Sequence, residues 1–514
     1  MKHVLIVVLV MMNFYVFAQQ PPNIIVFLID DMGWQDTSVP FWTTKTAQNK
    51  LYRTPNMEKL AQEGMKFTNA YAAPVCTPTR SSMLSGLNSA HLKITNWTSP
   101  WKNNNTDAPD SNMVAAKWNM NGLSPVPGIE NTFYATPFPI LLKEAGYYTI
   151  HVGKAHWGSM GTPGSNPINM GFMVNVSGHA AGHPQSYYGK ENYGNLAGKT
   201  TAQAVPDLEE YFGTDTFLTE ALTMEAIKAM ETPIRRKQPF YLNMAHYAIH
   251  TPIMADKRFY DQYLQLGLDS VEAKYASLIE GMDKSLGDIM QYLKAKQVEK
   301  NTIIIFMSDN GGLSLSPPRG GAAFTHNLPL KAGKGSVYEG GIREPMLVKW
   351  PGVVQPGTTA NQYIIIEDFF PTILQMAGIK NSHVVQTIDG KSFLPILKNP
   401  SYTDSSRALI WHYPNKWIAN DGPGINYFSA IRLGEWKMVY SMRSGKRELY
   451  NLKNDIGETI DLSTKYPEKL LQLSKIISNQ LRNWNAPMPK FKKNNQIVPM
   501  PDELTKLGGS TTNL

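Results

Sequence analysis

The stretch NIIVFLIDD, residues 23–31, decides the fold class of this chain. Its six consecutive apolar residues, 24–29, are typical of a strand that is buried on both faces, near the centre of a parallel sheet. Two carboxylates, Asp30 and Asp31, follow directly, and their burial is costly unless a cation or a polar partner neutralises them. Open α/β sheets bind ligands at the carboxyl ends of their strands, so we expect a functional site at this point.

Three later segments repeat the pattern of an apolar strand that ends in polar residues. They are 147–152 before Lys154 and His156, 240–244 before His250, and 302–307 before Asp309 and Asn310. Helices are predicted between the strands, and the helix at 275–296 has its apolar residues on one face. Strands that alternate with helices predict a doubly wound, mostly parallel sheet between layers of helices. Taken alone, the polar residues at each strand end are more often a helix cap, a turn or a buried histidine with no function. Four such groups at one edge of a sheet indicate a functional site.

The C-terminal region has a different pattern. Four short strands are predicted at 408–412, 427–433, 437–442 and 448–452, and a helix at 467–484 follows them. This spacing predicts a small antiparallel α+β subdomain. The predicted organisation is a signal peptide at 1–18, a catalytic domain at 19–400, the antiparallel subdomain at 401–490 and a polar tail at 491–514.

The first eighteen residues predict export. Residues 4–17 are apolar except for Asn13, and Ala18 offers a small residue for cleavage, which together indicate a secretory signal peptide. The apolar run is short for a membrane span. We therefore expect a periplasmic or secreted protein that is free of the membrane after cleavage.

Net charge and cysteine content limit the classes of binding partner and the chemical state expected of the cysteine. The net charge of +8 favours anionic partners, but no Lys/Arg-rich run or nucleic-acid motif is present, which argues against nucleic acid. The single cysteine, Cys76, excludes an internal disulfide. A free thiol in an oxidising compartment is expected to be buried or to be chemically changed.

Cys76 opens the segment CTPTR, residues 76–80, and LSG follows at 84–86. Pro78 suits the first turn of a helix, so Cys76 is expected just before a helix N-terminus. The free N–H groups there favour negative charge, which suits a nucleophile that attacks an anionic ester. A buried, inert thiol is the alternative for a lone cysteine.

These segments together resemble the type I, formylglycine-dependent sulfatases, which are arylsulfatase-like members of the alkaline phosphatase superfamily. The likeness begins with CTPTR and LSG and continues through DDMG at 30–33, GKAH at 153–156 and HTP at 250–252. It then covers SDNGG at 308–312 and GKGSVYEGGIREP at 333–345. The segments occur in the family's order over nearly all of the mature chain. The resemblance implies an alkaline-phosphatase-like fold and sulfate ester hydrolysis.

The resemblance also implies a modified nucleophile and a metal. A formylglycine-generating or anaerobic maturation enzyme would oxidise Cys76 to Cα-formylglycine (3-oxoalanine) during export. One hydroxyl of the hydrated aldehyde would attack sulfur, and loss of a proton from the other would expel the sulfate. Ca²⁺ would be bound by Asp30, Asp31, Asp309, Asn310 and residue 76, in line with the preference of Ca²⁺ for oxygen ligands.

The same resemblance implies roles for the cationic and histidine residues. Arg80 would hold the nucleophile, and Lys154 and Lys334 would bind sulfate oxygens. His156 is the candidate base for sulfate elimination, and His250 is the candidate acid for the leaving alcohol.

The sequence indicates the type of reaction more specifically than it indicates the substrate. The signal peptide, the length and the small C-terminal sheet resemble bacterial polysaccharide sulfatases, so a sulfated oligosaccharide or polysaccharide is expected, with an algal polysaccharide favoured. Residues that could contact the sugar are Trp97, Trp101, His179, Arg319, His326 and His412.

Two alternatives remain at the level of sequence. A phosphate or phosphonate ester hydrolase of the same superfamily would carry more histidine ligands for two metals. An inactive sugar-binding homologue would have a broken CTPTR-type motif or would lack the strand-end carboxylates.

Overall fold

A computed structural model describes residues 20–313, 326–380 and 382–504 of the protein. The predicted signal peptide at 1–18, Arg319 and residues 505–514 of the predicted tail lie outside these described residues. Within them, no helix combines the length and the apolar character that crossing a membrane requires.

The described residues contain seventeen strands and twelve α-helices. The strands are β1 (Asn23–Ile29), β2 (Met65–Tyr71), β3 (Met113–Val114), β4 (Gly122–Ser124), β5 (Thr132–Tyr134), β6 (Tyr148–Gly153), β7 (Val174–Val176), β8 (Phe240–Ala245), β9 (Thr302–Ser308), β10 (Arg343–Lys349), β11 (Thr358–Ala360), β12 (Ile364–Ile365), β13 (Ala408–Tyr413), β14 (Phe428–Leu433), β15 (Trp436–Ser441), β16 (Arg447–Asn451) and β17 (Lys490–Phe491). The helices are α1 (Ala47–Leu51), α2 (Pro55–Glu63), α3 (Cys76–Ser85), α4 (Ser89–Leu92), α5 (Phe138–Glu144), α6 (Leu218–Arg235), α7 (Tyr260–Gln265), α8 (Ser270–Ala295), α9 (Glu339–Ile342), α10 (Phe369–Met376), α11 (Leu394–Lys398) and α12 (Pro467–Asn483).

Nine of the strands form one large sheet. Its order is β11-β2-β10-β9-β1-β8-β6-β7, and β12 pairs with β2 outside this path. Strand β1 lies near the centre and runs parallel to both neighbours, β8 and β9. Strand β10 runs antiparallel to β9 and β2. The predicted fold class, a mixed and mostly parallel sheet with helices on both sides, is confirmed.

The carboxyl ends of the central parallel strands lie in register. Ile29 at the end of β1 pairs with Ser308 at the end of β9. Gly153 at the end of β6 pairs with Ala245 at the end of β8. The polar residues that follow these strands in sequence therefore begin at one common edge of the sheet.

Strand β1 is buried on both faces, which explains its unbroken apolar run. The even-numbered side chains of residues 24–28 join a core that includes α3, α5 and α10. The odd-numbered side chains of residues 25–29 join a second core that includes α6 and α8. Each such side chain stabilises the fold by about 1.5–3 kcal/mol when it is fully buried.

Strands β13 to β16 form a separate antiparallel sheet, as predicted. One face packs on α12 through residues such as Leu473 and Ile477. The other face, with Trp411 and Val439, joins the core of the large sheet. Because the two sheets share this core, the domain boundary at residue 400 stays a prediction.

Candidate active site

Two buried ion pairs stand at the carboxyl edge of the large sheet. Nζ of Lys154 donates to Oδ2 of Asp30 at 2.5 Å, and both side chains are fully buried. Nζ of Lys334 donates to Oδ1 of Asp31, also at 2.5 Å, and these side chains are 5% and 2% exposed. Residues predicted from separate strand ends and loops therefore meet in one cluster.

Asp31 and His156, which both follow strands of this edge, have left-handed backbone conformations. Their φ angles are +65° and +56°. Such angles are uncommon outside glycine, and strain of this kind concentrates at functional sites. The turn at Asp31 places a second carboxylate beside the one at Asp30.

Arg80 lies one helical turn after Cys76 and is almost fully buried. Its Nε donates to Oδ2 of Asp309 at 2.8 Å, and its Nη1 donates to the carbonyl of Lys154 at 2.9 Å. Its Nη2 has no hydrogen-bond partner among the described residues. A buried guanidinium nitrogen without a partner is suited to bind an anion.

Cys76 is the first residue of α3 rather than the residue before the helix, and Val75 is the N-cap. The Cys76 side chain is 4% exposed and lines a cavity. Burial raises the pKa of its thiol, although Lys154 and Lys334 act in the opposite direction. The unmodified thiol is therefore protonated at neutral pH, and a protonated thiol is a poor nucleophile.

Three buried oxygens at the sheet edge have no hydrogen-bond partner within the described part of the chain. They are Oδ1 of Asp30, Oδ2 of Asp31 and Oδ1 of Asn310. The amide of Asn310 donates to Oδ1 of Asp31 at 2.8 Å, which fixes the orientation of the amide. Ligand atoms of Asp30, Asp31 and His250 all lie within 4.8 Å of one another. This donor set fits a hard divalent cation, since buried oxygens of this kind are costly without one.

The two adjacent carboxyls differ in acidity. Burial and the neighbouring Asp309 raise the pKa of Asp30 to about 8, against the opposing effect of Lys154. Burial would also raise the pKa of Asp31, but Lys334 and other nearby cations hold it well below its ordinary value. A further positive charge at this site would therefore favour ionisation of Asp30 in particular.

His156 and His250 have fixed hydrogen-bond roles because each contacts a carbonyl. Nε2 of His156 lies 2.9 Å from the carbonyl of Thr98, and Nδ1 of His250 lies 2.9 Å from the carbonyl of Thr251. A carbonyl can only accept, so these nitrogens carry hydrogen and the other ring nitrogens hold the lone pairs. Burial, with Lys154 beside His156 and Lys334 beside His250, lowers both histidine pKa values well below the usual range.

A cavity of about 500 Å³ opens above this cluster. Its floor includes Asp31, Cys76, His156, His250 and Lys334. Its apolar walls include Val75, Trp97, Pro100, Trp101, Leu313, Trp417 and Ile418. The lining of the cavity thus combines charged and ionisable groups with apolar side chains that include three tryptophans.

Sequence reasoning missed two groups in this cavity. The ring of His183 stacks on that of His250, with centroids 5.7 Å apart and planes 6° from parallel. Trp417 and Ile418 enter the cavity from the connection between β13 and β14 in the C-terminal region. Nothing in the local sequence around these residues distinguishes them from ordinary loop residues.

Of the predicted substrate residues, Trp97 and Trp101 line the cavity, whereas three histidines do not. His179 contacts the Ala204 carbonyl and the Tyr247 hydroxyl, each at 3.1 Å. His326 is fully buried 2.9 Å from Asp36. His412 contacts the Ser429 hydroxyl and the Pro487 carbonyl.

These three histidines therefore lie outside the cavity lining, and their ring nitrogens contact groups of the protein itself. Arg319 lies outside the described residues.

Residues 22–379 match the family model described as Sulfatase. This chain belongs to the sulfatase family. Residues 333–486 also match the model described as N-sulphoglucosamine sulphohydrolase, C-terminal. The sulfatase is thus a sulfuric ester hydrolase of the alkaline phosphatase-like superfamily, as its motifs predicted.

The matches to individual relatives cover almost the whole chain. A sulfatase of Formosa agariphila is 29% identical, over 94% of this chain and 93% of the relative. The N-acetylgalactosamine-6-sulfatase of Homo sapiens is 30% identical, over 92% of this chain and 87% of the relative. The crystal structure of Ps i-CgsB in complex with k-i-k-neocarrahexaose is similar with a TM-score of 0.69 and 26% identity, and the match covers 90% of this chain and 93% of that one.

Proposed function

We propose that this sulfatase removes sulfate from sulfated carbohydrates, with residue 76 as formylglycine and with Ca²⁺ at the strand-end carboxylates. The observation that carries the proposal is the position of Cys76. It lies at the start of α3 in the cavity, where its thiol is protonated and where Lys154 and Lys334 act on it. A residue in this position is well placed for attack on an anionic ester but is poorly reactive as a thiol.

Conversion of Cys76 to formylglycine would resolve that conflict, because the hydrated aldehyde supplies an oxygen nucleophile. The protein's own contribution is to hold this nucleophile. Arg80 is fixed by Asp309 and by the Lys154 carbonyl and has one guanidinium nitrogen left for a ligand. Its planar group is suited to hold oxygen atoms in a defined orientation.

The partnerless oxygens of Asp30, Asp31 and Asn310 support Ca²⁺ as the metal, and Asp309 and residue 76 complete the proposed ligand set. When bound, Ca²⁺ would supply positive charge that stabilises the ionised nucleophile and the charge on the sulfate. A divalent cation would also favour the ionised form of Asp30, whose pKa burial and the neighbouring Asp309 raise to about 8.

Lys154 and Lys334 are the proposed sulfate-binding residues. Each is buried and already ion-paired to a carboxylate, so each is held in one place with two remaining N–H donors. Pre-oriented donors of this kind stabilise developing negative charge more effectively than mobile ones.

His156 and His250 are the proposed base and acid. His156 holds a lone pair on Nδ1 and is neutral, which suits a proton acceptor. His250 has its acceptor nitrogen, Nε2, 3.6 Å from Oδ2 of Asp31. A proton on Nε2 would be stabilised by that carboxylate and by the sulfate of a bound substrate, and from there it would pass to the leaving alcohol.

The substrate that we propose is a sulfated oligosaccharide, with an algal polysaccharide as its favoured source. The relative in complex with k-i-k-neocarrahexaose and the human N-acetylgalactosamine-6-sulfatase support a carbohydrate sulfate. The predicted signal peptide supports export to the periplasm or the medium, with a formylglycine-forming enzyme as a partner during export.

A sulfate-release screen tests the proposal. The protein would be co-produced with a maturation enzyme and offered carrageenan oligosaccharides, N-acetylgalactosamine 6-sulfate, 4-nitrophenyl sulfate and 4-nitrophenyl phosphate, with Ca²⁺ present. We expect sulfate release from at least one sugar and loss of that release in Cys76→Ala. Faster phosphate than sulfate release would support the phosphate ester hydrolase instead, and no release from any ester would contradict the proposal.

A further inference from the structure

Three tryptophans line the cavity, and they come from two distant parts of the chain. Trp97 and Trp101 lie in the loop after α4, and Trp417 lies in the connection after β13. Trp97 and Trp417 are half-buried, and Trp101 is 59% exposed. Apolar surface that is grouped around a cavity often marks a ligand-binding site.

Hydrogen bonds join the two segments into one unit. The Thr95 hydroxyl donates to the Asn415 side chain at 2.6 Å, and the Tyr413 hydroxyl donates to the Asn96 side chain at 2.6 Å. The Ala108 N–H donates to the Lys416 carbonyl at 2.8 Å. Thr95, Asn96, Tyr413 and Asn415 are all at most 1% exposed. Bonds on the residues directly before Trp97 and Trp417 therefore hold the two chain segments in a fixed relation.

Trp417 is fixed on its other side as well. The side chain of Asn426 accepts from the Trp417 N–H at 2.8 Å and donates to the Ile418 carbonyl at 3.0 Å. The indole ring lies directly on the main chain of Gly335, where an added Cβ would come within 2.1 Å of the ring. Lys334 directly precedes Gly335, and its Nζ lies 6.0 Å from the centre of the indole. The aromatic surface is therefore held at a set distance from a proposed sulfate-binding cation.

We propose that Trp417, together with Trp97 and Trp101, forms a carbohydrate-stacking rim that selects sulfate esters of sugar rings. The inference rests on the proposed function and names the residues that bind the sugar. The C–H face of a sugar ring is apolar and slightly positive, and it packs on the negative face of an indole. Because the segments that carry Trp97 and Trp417 are held in place before binding, their backbones lose little conformational entropy when the sugar docks.

The test separates the rim from the sulfate end of the cavity. Trp417→Ala, Trp417→Phe and the wild type would be compared with each sulfated sugar that the wild type hydrolyses, and with inorganic sulfate as a competitive inhibitor. Trp436→Ala is the matched control, since Trp436 is also half-buried in the C-terminal sheet but packs on Tyr466.

We expect Trp417→Ala to raise KM for the sugars about tenfold, with the inhibition constant for inorganic sulfate changed less than twofold. Trp417→Phe should recover most of the loss, and Trp436→Ala should behave as the wild type. An equal loss of sugar and sulfate binding in Trp417→Ala would overturn the proposal, because Trp417 would then only support Lys334. Unchanged KM would overturn it too. Failure of the proposed function is distinct, since the wild type itself would neither release nor bind sulfate.

Discussion

Nζ of Lys334 donates to Oδ1 of Asp31 across 2.5 Å, although 303 positions separate the two residues. Asp31 follows the central strand, whereas Lys334 lies in a loop that the C-terminal sheet supports. The pair holds one cation of the proposed sulfate site against one carboxylate of the proposed metal site. Loss of either side chain would therefore disturb both functions.

Mass spectrometry of the peptide around Cys76 gives the most direct test of the nucleophile. We expect an aldehyde or its hydrate at residue 76 when the protein is co-produced with a maturation enzyme, and an unmodified thiol without it. Sulfate release should follow the aldehyde fraction, and Cys76→Ser should lower kcat by at least about a thousandfold when it is not matured. Full activity in a preparation that contains only the thiol would rule out formylglycine as the nucleophile.

Calcium should stabilise the wild type but not a variant with a weakened site. At a Ca²⁺ concentration of a hundred times Kd, linkage predicts about 2.7 kcal/mol of stabilisation, which appears as a rise in Tm. Asp31→Asn should reduce that rise strongly, because the variant loses a negative ligand. The readout is the Tm shift between Ca²⁺ and chelator, since the absolute Tm also reflects the lost pair with Lys334. An equal shift in both proteins would place the ion elsewhere.

His250 should matter most when the leaving group is a poor one. General acid catalysis typically contributes about 10²–10⁴-fold, and it is needed less when the leaving group is a stable anion. We expect His250→Ala to lower kcat on sugar sulfates by about that factor, and to lower kcat on 4-nitrophenyl sulfate far less. Equal losses on both substrates would argue that His250 only shapes the cavity or the metal site.

Much of the site could be predicted because it follows from a simple rule of sheet geometry. Asp30, Lys154 and Asp309 each follow an apolar strand, and parallel strands end at the same edge. The fold class followed from the same pattern, since strands buried on both faces have continuous apolar runs.

The remaining parts of the site depend on contacts between distant segments. Trp417 lies in the connection after β13, and its ring packs on Gly335 beside Lys334, about 80 positions earlier in the chain. His326 and His412 look equally suited to bind substrate in sequence, but both are buried with their ring nitrogens engaged by protein groups. Local sequence does not report burial of that kind.

Lys437 should be essential for docking the C-terminal sheet. Its Nζ lies 2.9 Å from a carboxylate oxygen of Glu339 and 2.9 Å from one of Glu458, and all three side chains are fully buried. Removing the cation leaves two buried carboxylates without their shared partner, so we expect Lys437→Met to destabilise the protein by about 3–5 kcal/mol. Lys446→Met is the control, since Lys446 forms an exposed pair with Glu448 in the same sheet. Equal Tm values for the two variants would contradict the prediction.

Glu367 should make the stability of this sulfatase depend on pH. Its carboxyl accepts from the Asn88 side chain at 3.0 Å, and burial and the neighbouring Asp368 raise its pKa from 4.5 to about 8. The folded state therefore binds a proton that the unfolded state releases above pH 4.5. Stability from this group is fully present below pH 4.5 and is lost as the pH rises to about 8, with a limiting slope of about 1.4 kcal/mol per pH unit.

Glu367→Gln keeps an acceptor for Asn88 but cannot ionise, so the variant should gain in Tm relative to the wild type as the pH rises from 5.5 to 8. Thermal melts at several pH values measure the difference, and Glu468→Gln, which removes a carboxylate from an exposed position of α12, controls for net charge. A Tm difference for Glu367→Gln that does not change with pH would show that Glu367 ionises in the folded protein as it does in the unfolded chain.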